Sequence, residues 1–212
     1  MGARHLEQIT DSGVIAILRG VTEESAVEVA SAVVDGGVTA LEITADTPNV
    51  TGLVDAVSDV FDDVLVGAGT VLDGETARAV QLAGAEFVVT PTVDPAVIET
   101  CNRYGTPVVA GAFTPTEALQ AYESGAEFVK VFPAKTGGPE HVAAIGGPLP
   151  QIPLVPTGGV GPSNAGAYVE AGAAAVGVGS GIVSDDAVDR GEYSRIAENA
   201  RRTVEAVAAA RE

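Results

Sequence analysis

Cysteine, histidine and lysine are nearly missing from this chain, and each shortage narrows what it can be. Its 212 residues hold one cysteine, Cys101, so neither an internal disulfide framework nor a cysteine cluster for metal is expected. With His5 and His141 as the two histidines, no histidine-rich metal site is expected either. Lys+Arg number 11 against 29 Asp+Glu, for a formal charge of -18. No basic stripe offsets that charge, which argues against nucleic acid or an anionic membrane surface as a partner. No run of about 18 apolar residues occurs, and residues 1–7 lack the positive start and apolar block of a leader, so a soluble, unprocessed chain is expected.

What is present is a large apolar fraction. Hydrophobic residues make up 46% of the chain, and the mean hydropathy is +0.28, so strong acidity here does not signal disorder. A carboxylate-rich surface that stays hydrated in concentrated salt, where screening removes self-repulsion, accounts for it. The expectation is a cytoplasmic protein of a salt-adapted, halophilic organism; an ordinary acidic cytosolic protein is the alternative.

Short β-branched runs alternate with stretches of helical period. Strands are expected at 14–18, 40–44, 64–66, 87–90, 107–110, 128–132, 153–156 and 175–178. Helices are expected at about 22–35, 48–59, 73–83, 93–104, 115–123, 138–145, 162–171 and 186–210. Thr22-Glu23-Glu24-Ser25 reads as an N-cap followed by acids, and Thr114-Pro115-Thr116-Glu117 as an N-cap with proline at the first helical position. An internal echo supports the count. Runs beginning at Gly36, Gly84, Gly125 and Gly172 each stop a helix and feed an even-numbered strand, at spacings of 48, 41 and 47 residues. Strict alternation calls for parallel strands with helical crossovers. A single (β/α)8 TIM barrel domain over 1–212 is the leading architecture, with an open doubly wound sheet as runner-up.

Of the 11 basic residues two are lysines, Lys130 and Lys135, and Lys130 sits inside the apolar run Phe128-Val129-Lys130-Val131-Phe132. Burial lowers an ammonium's pKa, by up to about 3 to 5 pH units when complete, and a neutral amine can attack a ketone to form a Schiff base. A lysine snorkelling from a strand end to water is the alternative. If Leu41 and Ile43 pack outward, Glu42 and Thr44 point into the barrel. Glu42 and Lys130 would then be acid/base and nucleophile, or a structural ion pair.

In such a barrel, reactive groups gather at the C-terminal strand ends. Those ends carry Arg19, Gly67-Ala68-Gly69-Thr70 after strand three, Thr90-Pro91-Thr92, Thr157-Gly158-Gly159 and Gly179-Ser180. The last two offer unobstructed backbone N–H groups and a hydroxyl, suited to phosphate. A dinucleotide reading of Gly67-Ala68-Gly69-Thr70-Val71-Leu72 fails, because Leu72 stands where the final glycine belongs. Small residues there would instead let a substrate carboxylate approach, with Thr70 donating a hydrogen bond.

Taken in order, Gly13-Val14-Ile15-Ala16-Ile17-Leu18-Arg19, Leu41-Glu42-Ile43-Thr44, the Gly67 to Leu72 run, Phe128-Val129-Lys130-Val131-Phe132-Pro133-Ala134, Val155-Pro156-Thr157-Gly158-Gly159-Val160 and Val176-Gly177-Val178-Gly179-Ser180 resemble the 2-keto-3-deoxy-6-phosphogluconate aldolase family. The resemblance implies a class I (β/α)8 aldolase in sugar-acid breakdown, needing neither metal nor cofactor, commonly a homotrimer. It implies Lys130 as Schiff-base lysine, Glu42 as general acid/base, Arg19 and Thr70 as holders of substrate anions, and Gly158, Gly159 and Ser180 as the phosphate site; Pro91, Thr157 and Gly179, at the same strand ends, are expected as further substrate-binding residues. Which anion Arg19 takes is left open. The products would be pyruvate and glyceraldehyde 3-phosphate; the C4-epimeric phosphogalactonate, 4-hydroxy-2-oxoglutarate and a non-catalytic phosphosugar-binding regulator are the alternatives. One position departs: Asp46 stands where many members carry an arginine. Lys135 is expected in solvent.

Overall fold

A computed structural model describes residues 2–212, with side chains from Glu7 onward; His5 and the start of the chain searched for a leader lie outside the described side chains. Eight parallel strands follow in order, β1 Val14–Leu18, β2 Ala40–Thr44, β3 Leu65–Gly69, β4 Val88–Val89, β5 Val108–Ala112, β6 Phe128–Val131, β7 Leu154–Pro156 and β8 Val176–Val178. From β1 to β7 each neighbours the next in the sheet, β8 pairs with β1, and a Thr157 to Gly177 bridge joins the two sheet edges, β7 and β8. The result is the nearly closed (β/α)8 barrel, not the open sheet.

The side-chain period of two sorts the strand residues into two cores. Leu41, Ile43, Val66, Ala68, Val129 and Val131 face outward into the layer shared with the helices. Ile15, Ala40, Leu65, Phe87, Val89, Val109, Phe128, Val155 and Ala175 fill the lumen. The lower lumen is therefore a packed apolar plug, and inward positions one step further along each strand are left for polar groups.

Among the helices, α1 Gly2–Ser12 lies ahead of the first expected element and closes the floor, with fully buried Ile9 joining the lumen cluster. The next six are α2 Ala26–Asp35, α3 Val50–Ser58, α4 Gly74–Leu82, α5 Pro95–Tyr104, α6 Pro115–Glu123 and α7 Ala134–Gly146. They are followed by α8 Ala165–Glu170, α9 Asp185–Asp189 and α10 Tyr193–Ala209. The Thr114 cap on α6 forms a full capping box with Glu117. The expected Thr22 cap does not form: Thr22 to Ser25 make a separate turn, in which the Thr22 N–H donates to Ser25 Oγ at 3.0 Å, and α2 starts a turn later. The expected helix 186–210 is two helices, because Gly191 between them adopts φ 65°. Helix α7 begins before residue 138, with a kink at Gly138 (φ 68°) ahead of Pro139.

Strand β3 runs on through Gly67, Ala68 and Gly69, which were expected beyond its end. The reason is space. A Cβ on inward Gly67 would overlap the Phe87 ring, and one on Gly69 would overlap the Glu42 carboxylate. Glycine lets this strand pass beside two larger inward groups.

Candidate active site

At the C-terminal mouth lies a cavity of about 490 Å³. Strands β1 to β3 supply Arg19, Glu42 and Thr70, and the β4 end supplies Pro91. Lys130 comes from β6, Thr157, Gly158 and Gly159 follow from β7, and Gly179 and Ser180 from β8. All ten expected site residues thus line one space. Ile17, Phe132, Val160, Val183 and Asp185 complete the lining. Val183 and Asp185 belong to the stretch after β8, where sequence offered no motif to single them out.

Glu42 and Lys130 are 2% and 5% exposed. Register explains why both point inward: Glu42 pairs with Ile17 and Gly67, Lys130 with Gly111 and Val155, all inward-facing positions. Glu42 Oε1 is buried without a hydrogen-bond partner. Burial pushes its carboxyl above the usual range, Lys130 and Arg19 pull it back, and Asp46 adds to the rise. No salt bridge joins Glu42 to Lys130 among the described residues; the Lys130 ammonium lies 5.2 Å from the centre of the Phe132 ring. A structural ion pair would have closed this gap. The two groups instead line one cavity without bonding to each other.

On one side of the mouth, Arg19 Nη1 donates to Asp46 Oδ2 at 2.8 Å and Nη2 to Thr70 Oγ1 at 3.1 Å. Thr70 takes the left-handed conformation, φ 55°, uncommon for a β-branched residue. Asp46 does not project at the substrate space as a lone charge: it is paired. On the other side, Gly158 and Gly159 have φ of 92° and 82°. Asn164 braces their loop by accepting from the Gly161 N–H at 2.8 Å and donating to the Gly159 carbonyl at 3.0 Å. With no side chains on Gly158 and Gly159, their backbone N–H groups stay open to an anion in the cavity. Lys135 is exposed, and its stem covers Gly159, where any Cβ would strike it.

A family model described as KDPG and KHG aldolase matches residues 6–199. The chain is similar to the 2-dehydro-3-deoxy-6-phosphogalactonate aldolase of Escherichia coli (strain K12), 39% identical over 170 residues that cover 79% of this chain and 83% of that one. It is similar to the KHG/KDPG aldolase of the same organism, 34% identical over 183 residues and 86% of each. Among solved structures it is similar to the KDPG aldolase from Legionella pneumophila with pyruvate captured as a covalent carbinolamine intermediate. That match has a TM-score of 0.85 at 30% identity and covers 93% of this chain and 97% of that one.

Proposed function

Because the chain belongs to the KDPG and KHG aldolase family and is a class I lyase, we propose that it cleaves 2-keto-3-deoxy-6-phosphogluconate with Lys130 as nucleophile and Glu42 as general acid/base. The observation that carries this is the buried, unpaired Glu42 Oε1 facing the same cavity as buried Lys130. Burial of an unpartnered carboxylate is costly in a fold and useful in catalysis.

The chemistry follows from that pair. The neutral Lys130 amine attacks the C2 ketone to form a carbinolamine, which loses water to become an iminium. Glu42 takes the C4 hydroxyl proton, directly or through one water. The C3–C4 bond breaks and its electrons move to the iminium nitrogen, leaving an enamine and releasing glyceraldehyde 3-phosphate. Protonation of the enamine at C3 and hydrolysis of the imine free pyruvate and regenerate the amine. Glu42, with its carboxyl raised above the usual range by burial, holds a proton more readily than an exposed carboxylate and so is suited to accept one and return it. Arg19, Thr70, Pro91 and Thr157 position the substrate, and the Gly158, Gly159, Gly179 and Ser180 loops hold its phosphate.

Incubation with pyruvate and borohydride tests this directly. The expected result is one reduced adduct on the peptide carrying Lys130; no adduct, or one elsewhere, overturns the reading. The galactonate relative from Escherichia coli is 39% identical against 34% for the KHG/KDPG enzyme, which favours the C4 epimer as a second substrate, and parallel assays on the two epimers separate them.

The same reading makes the chain a cytoplasmic single-domain homotrimer of a salt-adapted organism, acting in sugar-acid breakdown. Supporting the assembly, the apolar side chains of Val60 and Leu82 are left 51% and 71% exposed. Light scattering tests the trimer. Rising thermal stability in molar potassium chloride tests the salt adaptation, since screening removes the repulsion among surface carboxylates.

A further inference from the structure

Arg19 follows β1, whose neighbours in the barrel are β8 on one side and β2 on the other. The β8 side leads to Gly179 and Ser180, and the β2 side to Asp46 and Thr70. The long arginine arm crosses over β2 altogether, bonding Asp46 after β2 and Thr70 after β3. No hydrogen bond joins it to Gly179 or Ser180 among the described residues. Both guanidinium bonds therefore draw the cation away from the glycine loops. We propose that Asp46 is a positioning residue that commits Arg19 to the carboxylate end of the substrate and withholds it from the phosphate.

The two ends of the substrate cannot share one arginine. The C1 carboxylate is attached to C2, the carbon that becomes bonded to Lys130, whereas the phosphate lies at the far end of the six-carbon chain. With the phosphate over the β7 and β8 loops, the carboxylate falls to the remaining side. Tethering uses one N–H on each terminal nitrogen of Arg19 and leaves a second N–H on both, with Nε, free for an anion. The pair is open to solvent, with side chains 62% and 44% exposed, so it adds little to folding. Its effect is the direction in which the guanidinium points. A second tie fixes the same loop: the Gly20 N–H, next to Arg19, donates to Thr47 Oγ1 at 3.2 Å, and Thr47 Oγ1 meets buried Thr44 Oγ1 at 3.2 Å. The loops that carry Arg19 and Asp46 are thus tied to each other and, through Thr44, to β2.

This inference rests on the aldolase reading, and the experiment keeps the two apart. Borohydride trapping of the wild type with pyruvate tests the aldolase reading alone. Pyruvate has no phosphate, so the pyruvate concentration giving half-maximal trapping then reports the carboxylate end. Asp46→Ala should raise it about fivefold, the upper range for an exposed ion pair, with kcat unchanged at saturating substrate. Asp46→Asn, which keeps an acceptor for Arg19, should restore it to within about twofold. Arg19→Ala should raise it at least as much, and the double variant no further, because Asp46 acts only through Arg19. Inhibition by inorganic phosphate should not weaken in Asp46→Ala. An unchanged concentration in Asp46→Ala, a lower one in both Asp46 variants, or additive effects in the double variant would each overturn the assignment. If Asp46→Ala does not fold, Asp46→Ser, whose hydroxyl is too short to reach Arg19, takes its place with the same expected and overturning outcomes.

Discussion

The mouth and the floor of this barrel hold the same kinds of charged residue in opposite states. At the floor, Glu127 accepts from the Val108 N–H at 2.7 Å while its own N–H donates to the Val108 carbonyl. Glu86 brackets Val66 in the same way one double unit earlier. Arg211 donates to the carbonyls of Thr10, Asp11 and Ala174 at 2.7 to 2.9 Å, fastening α10 to α1 and to the loop before β8. At the mouth, Glu42 Oε1 has no partner, and Lys130 is left beside a ring instead of a carboxylate. Floor charges are matched to backbone groups; at the mouth Arg19 and Asp46 match each other, while Glu42 and Lys130 are left for a ligand to match. An unsatisfied charge, not burial or charge alone, separates the reactive end from the structural one, since the other unpartnered buried groups among the described residues, on Ser58 and Gln81, are uncharged.

The sharpest way to break that contrast is to remove one cation from each end. Lys130→Ala should reduce cleavage by at least about ten-thousandfold, since no other amine lines the cavity to carry the covalent step. Appreciable pyruvate release by this variant would sink the assignment. Arg211→Ala should leave kcat near wild type and cost about 1 kcal/mol of unfolding free energy, read from denaturant midpoints. A loss of activity without a loss of stability there would erase the distinction between the two ends.

Glu42→Gln comes next in size. Loss of general acid/base catalysis should lower kcat by about a hundredfold to ten-thousandfold. The same change should stabilise the fold at neutral pH. Since the folded-state pKa of Glu42 is raised, its contribution is fully present below the unfolded carboxyl value and is lost as pH rises through the folded one. Glutamine cannot ionise, so the stability gap between variant and wild type should widen from acid toward neutral pH. A constant gap would mean that Glu42 pays no ionisation penalty and that the mouth is as well matched as the floor.

Much of the mouth was legible from residue order. Lys130 stood out because the chain has just two lysines and one of them interrupts an apolar strand; Glu42 followed from alternation with Leu41 and Ile43. What escaped is equally specific. Among its described side chains, helix α1 puts Ile9 alone into the lumen cluster, too weak a signal to read as a helix ahead of β1. The Arg19 to Asp46 pair joins neighbouring loops 27 residues apart, where no periodicity links partners. Glu86 and Glu127 sit in the same Gly-Ala-Glu-Phe-Val wording, which marked the helix stops but not the backbone N–H that each carboxylate would meet. Local chemistry foretells which way a strand residue faces; pairing across loops needs the closed barrel.

The smallest expected effect tests the floor's own carboxylate. Glu127 is half-buried, and burial raises its pKa while the Val108 N–H pulls it down. The sign is therefore the same as for Glu42: its contribution is present below the unfolded carboxyl value and is lost as pH rises through the folded one. The size differs, because a backbone donor already compensates the charge and solvent screens what is left. Glu127→Gln keeps a carbonyl oxygen for Val108, so its stability should stay within about 0.5 kcal/mol of wild type, drifting upward relative to it between pH 4 and pH 8. Its kcat should not move. Paired denaturant titrations at the two pH values, run beside Glu42→Gln, measure the difference between a carboxylate that the fold has satisfied and one that it has not. Equal pH dependence in the two variants would show that the Val108 N–H compensates nothing, and the floor would then lose its claim to be the satisfied end.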